Sequence, residues 1–394
     1  MIGGDSGRAA SGVTLDNWQT APQLAWSFQH IADIFPVAVI SRGTGPVAHL
    51  PAHRTAIADI AVRLQDGNSW TVGGIIDATV TDGWIVVHDG LVLAEEYPNG
   101  MHLQTPHLLM SVSKSLVGIV AGALVAGGLL DVDGLASSYV PQLADSGYAG
   151  ATVRHLLDMR SGIAFSEEYL DQDAEVRVLE QAIGWAPRLH ADVPQTMYDY
   201  LLTLRQKGPH GGPFEYRSGE TDVLGWVCEA AAGERMPELM SRLLWSRIGA
   251  EFDANIGVDS AGTGMFDGGI SAALRDLARF GAMVLNDGTS LTGEQVVPAA
   301  WIADTVVGGP DSRDAFAGYA AHNSMPGGMY RNQFWLPYPG TDVVVCLGIH
   351  GQLIYINRPA RMVAAKLSAW PTPQDAWKLF STLHAFDMVA GQLR

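Results

Sequence analysis

The sequence predicts an α/β protein whose strand-bearing body is interrupted by a helical insertion. Three observations carry that expectation. Strand-like apolar runs stand before residue 100 and again in the last third of the chain. Helix-like runs, punctuated by Gly and Pro, fill residues 131–255 between them. And 394 residues at 47% hydrophobic content can bury a sizeable core, in one large domain or two closely packed ones. The expected division is 1–132 with 255–394 as one discontinuous α/β domain, and 133–254 as the helical one.

Taken in order, residues 1–75 are broken by Pro and Gly and yield no clear element. In WIVVHDGLVLAEEY, from Trp84, two apolar runs flank Asp89-Gly90, the turn signal of a hairpin. Thr105-Pro106 then precedes a long run expected to be helical, because Pro suits a first turn and the run is too long for a strand. ATVRHLLDM, DVPQTMYDYLLTLRQ and ETDVLGWVCEAAAG read as helices, as does the stretch from Asp267 to Asn286. QFWLPYP, residues 342–349, residues 352–357 and MVAAKLSAW read as strands, the middle two adjacent across a Gly-containing break. A last helix is expected near Asp375 to Leu393. Internal repeats, low-complexity segments and linkers are absent from the sequence.

Composition excludes several function classes. The net charge of −17, with 24 basic against 41 acidic residues and no basic run, makes nucleic acid and anionic membrane surfaces poor partners. Cys228 and Cys346 are too far apart for a disulfide framework or a zinc motif, and read as buried apolar residues. The start, MIGGDSGRAASG, lacks the pattern of a secretion signal, and the apolar run from Leu116 to Leu130 is too short to span a bilayer. A soluble cytoplasmic protein is expected. Gly43-Thr-Gly45 mimics a dinucleotide fingerprint, but Pro46 sits inside the turn and no βαβ unit follows. With no His-Glu-x-x-His and no Gly-x-Ser-x-Gly, neither a metal nor a cofactor is called for.

The stretch LLMSVSKSLVGIV carries the chemistry. Lys114 is one of only four lysines in the chain, and it stands among apolar or small neighbours. Ser111 lies three residues before it, on the same face of a helix. A serine hydroxyl is a weak nucleophile and needs a base. A lysine fills that role only when neutral, which from a reference pKa of about 10.4 requires a depression worth ~4 kcal/mol. Desolvation by Leu108, Leu109, Leu116 and Val117 is expected to supply it. Ser113 and Ser115 have the wrong spacing. Downstream, Tyr216 and Ser218 form a Tyr-x-Ser, with Tyr216 able to share a proton with Lys114. Gly348 marks a strand where a ligand can approach closely. His350 reads as a structural histidine, Glu180 as a solvated helix residue.

In this order and spacing, Ser111-Val-Ser-Lys114, Tyr216-Arg-Ser218 and a C-terminal Gly strand resemble the penicillin-recognising serine hydrolases, closest to the class C β-lactamase-like branch. LLMSVSKSLVG, GIHGQ and KLSAWP look like the 6-aminohexanoate-dimer hydrolases within it. The resemblance implies a β-lactamase/transpeptidase-like fold, with a central antiparallel sheet flanked by helices and an inserted helical domain. It implies that Ser111 is acylated, Lys114 is its base and Tyr216 relays the proton, while the N–H groups of Ser111 and Ile349 form the oxyanion hole. Tyr169, Glu180, Trp185, Asp267 and Ser218 would bind substrate, a short ester or a linear amide, with a homodimer left open as the assembly. Where β-lactamases carry a lysine in their third motif this chain has Cys346-Leu347-Gly348, which argues against β-lactamase and DD-peptidase activity. A non-catalytic binding module on the same fold is the remaining alternative.

Overall fold

The computed structural model describes residues 12–319 and 324–393. The segment examined for a leader lies almost wholly outside them. Two antiparallel sheets organise the chain. The strands used below are β1 (Val37–Ile40), β2 (Thr81–His88), β3 (Leu91–Glu96), β4 (His107–Leu108), β5 (Ala254–Gly257), β6 (Ile270–Ala272), β7 (Met329–Arg331), β8 (Phe334–Leu336), β9 (Val343–Gly348), β10 (Gln352–Asn357) and β11 (Met362–Ser368). The larger sheet runs β3-β2-β11-β10-β9-β8-β7 and the smaller β1-β5-β6-β4. The expected Asp-Gly hairpin joins β2 to β3, with Asp89 and Gly90 both at positive φ (46° and 78°), as a turn matched to strand twist requires.

Period-two alternation sorts the large sheet into two faces. Ile85, Val87, Ile354, Ile356, Val363 and Ala365 join one core, shared with helices α1 (Val112–Ala126), α2 (Glu175–Ala182), α3 (Ser218–Ala232) and α4 (Leu274–Leu285). Trp84, Val86, Val345, Leu353, Tyr355 and Ala364 face the other way, against the C-terminal helix α5 (Ala376–Leu393). The helices of the middle segment therefore share the core of one sheet face. Cys228 and Cys346 are both buried and unpaired. Among the described residues no helix is long and apolar enough to cross a membrane.

Two expected helix starts move. Pro106 does not open a helix: His107 and Leu108 pair with Ala272 and Ser271, and the Leu109 N–H donates to the Ile270 carbonyl at 2.8 Å. The chain turns at Met110, whose φ of 46° is uncommon for a non-glycine residue, and α1 begins at Val112. For the same reason the helix expected from Asp267 starts only at Leu274, since Ile270–Ala272 is the strand between β5 and β4.

Helix α1 is buried on nearly every side, and its glycines explain how. A Cβ at Gly118 would run into the Asn332 carbonyl, and one at Gly122 into the Trp301 ring. Gly to Ala inside a helix ordinarily gains about 1 kcal/mol. Here Gly118→Ala is expected to lower stability by about 1–3 kcal/mol through overpacking, read as a lower urea midpoint at unchanged m-value. A raised midpoint would show that α1 is loosely seated.

Candidate active site

Ser111 is the N-cap residue of α1, yet its hydroxyl makes no capping hydrogen bond. It is held instead by Lys114, one helical turn on, whose Nζ lies 2.8 Å from Ser111 Oγ. The same ammonium donates to Ser218 Oγ at 3.1 Å and to the Asp267 carbonyl at 2.8 Å, with Asp267 Oδ2 at 3.4 Å. Tyr216 completes the group. Its ring centroid is 5.2 Å from Lys114 Nζ, and its phenol interacts with Ser111 and Lys114. The Tyr-x-Ser segment brings both residues there because Ser218 starts α3, and Arg217 between them is pinned by Glu215 and Glu220. Ser113 and Ser115 bond elsewhere, to the Ile270 N–H and the Gln333 carbonyl.

The electrostatics overturn one expectation. Burial does push the Lys114 amine down, but the acidic groups packed around it, Tyr216, Asp267, Glu167 and Asp222, outweigh it and hold the amine above its ordinary value. Apolar neighbours in sequence did not reveal the carboxylates that folding brings in. Asp222, wholly buried, accepts hydrogen bonds from the Phe266 and Asp267 N–H groups at 3.0 and 3.1 Å, and so presents the Asp267 carbonyl to Lys114. Burial, then the Asp267 charge, pushes the Asp222 carboxyl well up. Burial likewise raises Glu167 and Tyr216. Asp222 and Glu167 were missed from sequence. Asp222 lies four residues after Ser218 on α3, a spacing that could have flagged it, whereas Glu167 stands outside any helix or strand and gave no such signal.

Gly348 ends β9 against the turn that carries Ser111. A Cβ there would sit 2.6 Å from the Leu109 carbonyl and 3.1 Å from the Ser111 nitrogen. Among the described residues, the Ser111 and Ile349 N–H groups enter none of the turn and loop hydrogen bonds. A cavity of about 250 Å³ opens here, lined by Ser111, Tyr169, Tyr216, Gly348 and Ile349 together with largely apolar side chains. Tyr169 and Tyr216 also border a second cleft of about 820 Å³.

Four of the five sequence-predicted substrate residues lie outside the two clefts. Asp267 is buried and engages Lys114 rather than the cavity wall. Glu180 is not solvated: it is buried, ion-paired with Arg177 at 2.8 Å and hydrogen-bonded by Gln19 at 2.9 Å. Trp185 stacks on Phe35 (centroids 4.6 Å) and lines a separate cavity beside Trp18. Ser218 is buried and accepts from Lys114 at 3.1 Å. His350 is buried, its Nδ1–H donates to the Trp370 carbonyl (2.7 Å), and burial pushes its pKa to about 4, so it is neutral near pH 7. No group of three or more His, Cys, Asp or Glu is placed to hold a metal ion among the described residues.

Comparison with known proteins identifies the family. The Beta-lactamase family model matches residues 72–380. A 6-aminohexanoate-dimer hydrolase of Paenarthrobacter ureafaciens is 38% identical over 372 residues, covering 93% of this chain and 91% of that protein. A Bacillus anthracis structure provisionally assigned as a 6-aminohexanoate-dimer hydrolase superposes with a TM-score of 0.87 at 27% identity, covering 97% of each chain. A family VIII carboxylesterase shares the fold at a TM-score of 0.59 and 16% identity, covering 80% of this chain and 96% of its own. With its β-lactamase/transpeptidase-like sheets and its serine–lysine–tyrosine cluster, the chain belongs to the beta-lactamase family of serine hydrolases.

Proposed function

We propose that this enzyme hydrolyses short-chain carboxylic esters through an acyl-enzyme, with linear amides of the 6-aminohexanoate-dimer type as its second substrate class. The observation that carries the reading is Lys114 Nζ at 2.8 Å from Ser111 Oγ, at the mouth of a cavity. Ser111 Oγ attacks the substrate carbonyl carbon. Its proton passes to Lys114 or Tyr216 and on to the leaving oxygen or nitrogen as that bond breaks. The N–H groups of Ser111 and Ile349 receive the oxyanion. Water then attacks the acyl-enzyme with the proton path reversed. Tyr169 stands over the leaving group, while Ser218 and Asp267 orient the amine. Esters come first because their leaving groups need less proton assistance. For amides, the carboxylate that would receive a substrate amine, Glu180, is already engaged by Arg177. Two unpaired cysteines fit a cytoplasmic setting.

Ser111→Ala is expected to lower p-nitrophenyl acetate turnover at least about 1,000-fold; equal rates would remove the reading. Gly348→Ala should cut kcat about 100-fold with little change in KM, because its Cβ displaces the backbone around the oxyanion donors. An unaltered kcat would show that those N–H groups do not meet the oxyanion.

The pH dependence follows from the charge on Lys114. The amine's pKa is raised, so its neutral, proton-accepting form grows only as pH climbs, and kcat/KM should rise with pH on its acid limb. Asp267→Asn removes an anion beside the amine, which lowers that pKa. The acid limb should therefore move to lower pH. A limb that stays in place, or moves up, would show that Asp267 does not set the charge of Lys114.

A further inference from the structure

The two spaces that share Tyr169 and Tyr216 differ in polarity. The cavity of about 250 Å³ is walled by Trp335, Leu347, Leu353, Trp370, Leu379 and Phe380. Among the described residues its one carboxylate, Asp375, is ion-paired with Lys378, and its one amine, Lys366, is buried and bonded to the Thr79 carbonyl and the Ser368 hydroxyl. The second cleft, of about 820 Å³, carries Glu167, Glu168, Glu175 and Glu215 against Lys207. Tyr169 and Tyr216 border both spaces, whereas Ser111, Gly348 and Ile349 border only the apolar one.

That junction assigns the halves of a substrate. The leaving group must receive a proton as its bond breaks, and the phenol of Tyr216 stands where the acidic cleft begins. The acyl chain stays with Ser111, Gly348 and Ile349, in the apolar cavity. Among the described residues, an ammonium at the end of that chain would find no free carboxylate. It would meet Lys366 instead, and Glu180 is turned into the protein toward Arg177 and Gln19. Burying an unpaired ammonium is costly, whereas burying methylenes is favourable.

We infer that the acyl half of the substrate is an uncharged apolar chain seated between Trp335 and Phe380, and that acyl chains tipped with an ammonium are turned over poorly. This rests on the acyl-enzyme reading and narrows its substrate class. It separates the chain from what the name of its Paenarthrobacter relative would suggest, since a 6-aminohexanoyl group carries that ammonium.

The test is kcat/KM at pH 7 for p-nitrophenyl acetate, butyrate, hexanoate and 6-aminohexanoate, with Ser111→Ala as the control for the acyl-enzyme. Each buried methylene should raise kcat/KM about three- to four-fold, so hexanoate should exceed acetate by well over about 10-fold. The 6-aminohexanoate ester should fall at least about 10-fold below hexanoate. Leu379→Trp, which fills the cavity from α5, should bring the hexanoate-to-acetate ratio toward one. Serine-dependent turnover that is flat or falling with chain length would overturn the inference. So would an aminohexanoate ester as good as hexanoate, or a ratio that Leu379→Trp leaves untouched. Turnover that survives Ser111→Ala would instead overturn the acyl-enzyme reading beneath it.

Discussion

An ammonium inside an apolar helix is the constraint around which the rest of the site is arranged. Lys114 belongs to a helix buried nearly all round, and burial alone would strip its proton. Folding instead surrounds it with oxygen: the hydroxyls of Ser111 and Ser218, the carbonyl and carboxylate of Asp267, and the nearby carboxyl groups of Glu167 and Asp222. A buried charge is tolerable when it is paired and fully hydrogen-bonded, and each of these groups meets part of that requirement. The same contacts fix where the Ser111 hydroxyl points.

The fold serves that cluster through close backbone approaches. Gly118 lets α1 lie against the Asn332 carbonyl, and Gly348 lets the end of β9 abut the nucleophile turn. Met110 takes a strained φ in that turn, a conformation that persists only where the surroundings impose it. Here they do: Leu109 on one side is tied to β6, and α1 on the other is locked in the core. Asp222 is the counterpart across the site. By capturing two N–H groups of the 266–267 turn it aims the Asp267 carbonyl at the amine.

Much of this was legible in the sequence, and the rest was not for identifiable reasons. The Asp89-Gly90 hairpin between two apolar runs is a local signal, and it appears in the fold. The Ser-x-x-Lys spacing is local too. The start of α1 was misjudged because His107 and Leu108 pair with residues more than 160 positions away, a partner no window along the chain reveals. The charge of Lys114 was misjudged for the same reason, since Asp222 and Asp267 are over a hundred residues distant. Glu180 and Trp185 show a different limit. Resemblance assigns a position along the chain but not the direction of a side chain, and both point away from the cavity that reaches Ser111.

The most direct test is the protonation state of Lys114 itself. With four lysines in the chain, selective isotopic labelling of lysine and a Lys114→Met reference spectrum assign its side-chain resonance by NMR. The charged cluster predicts an amine that stays an ammonium to pH values above those of an ordinary lysine, and that loses this advantage in Asp267→Asn. An amine that titrates near neutrality in the unaltered enzyme would contradict the account, and would mean that burial outweighs the surrounding carboxylates.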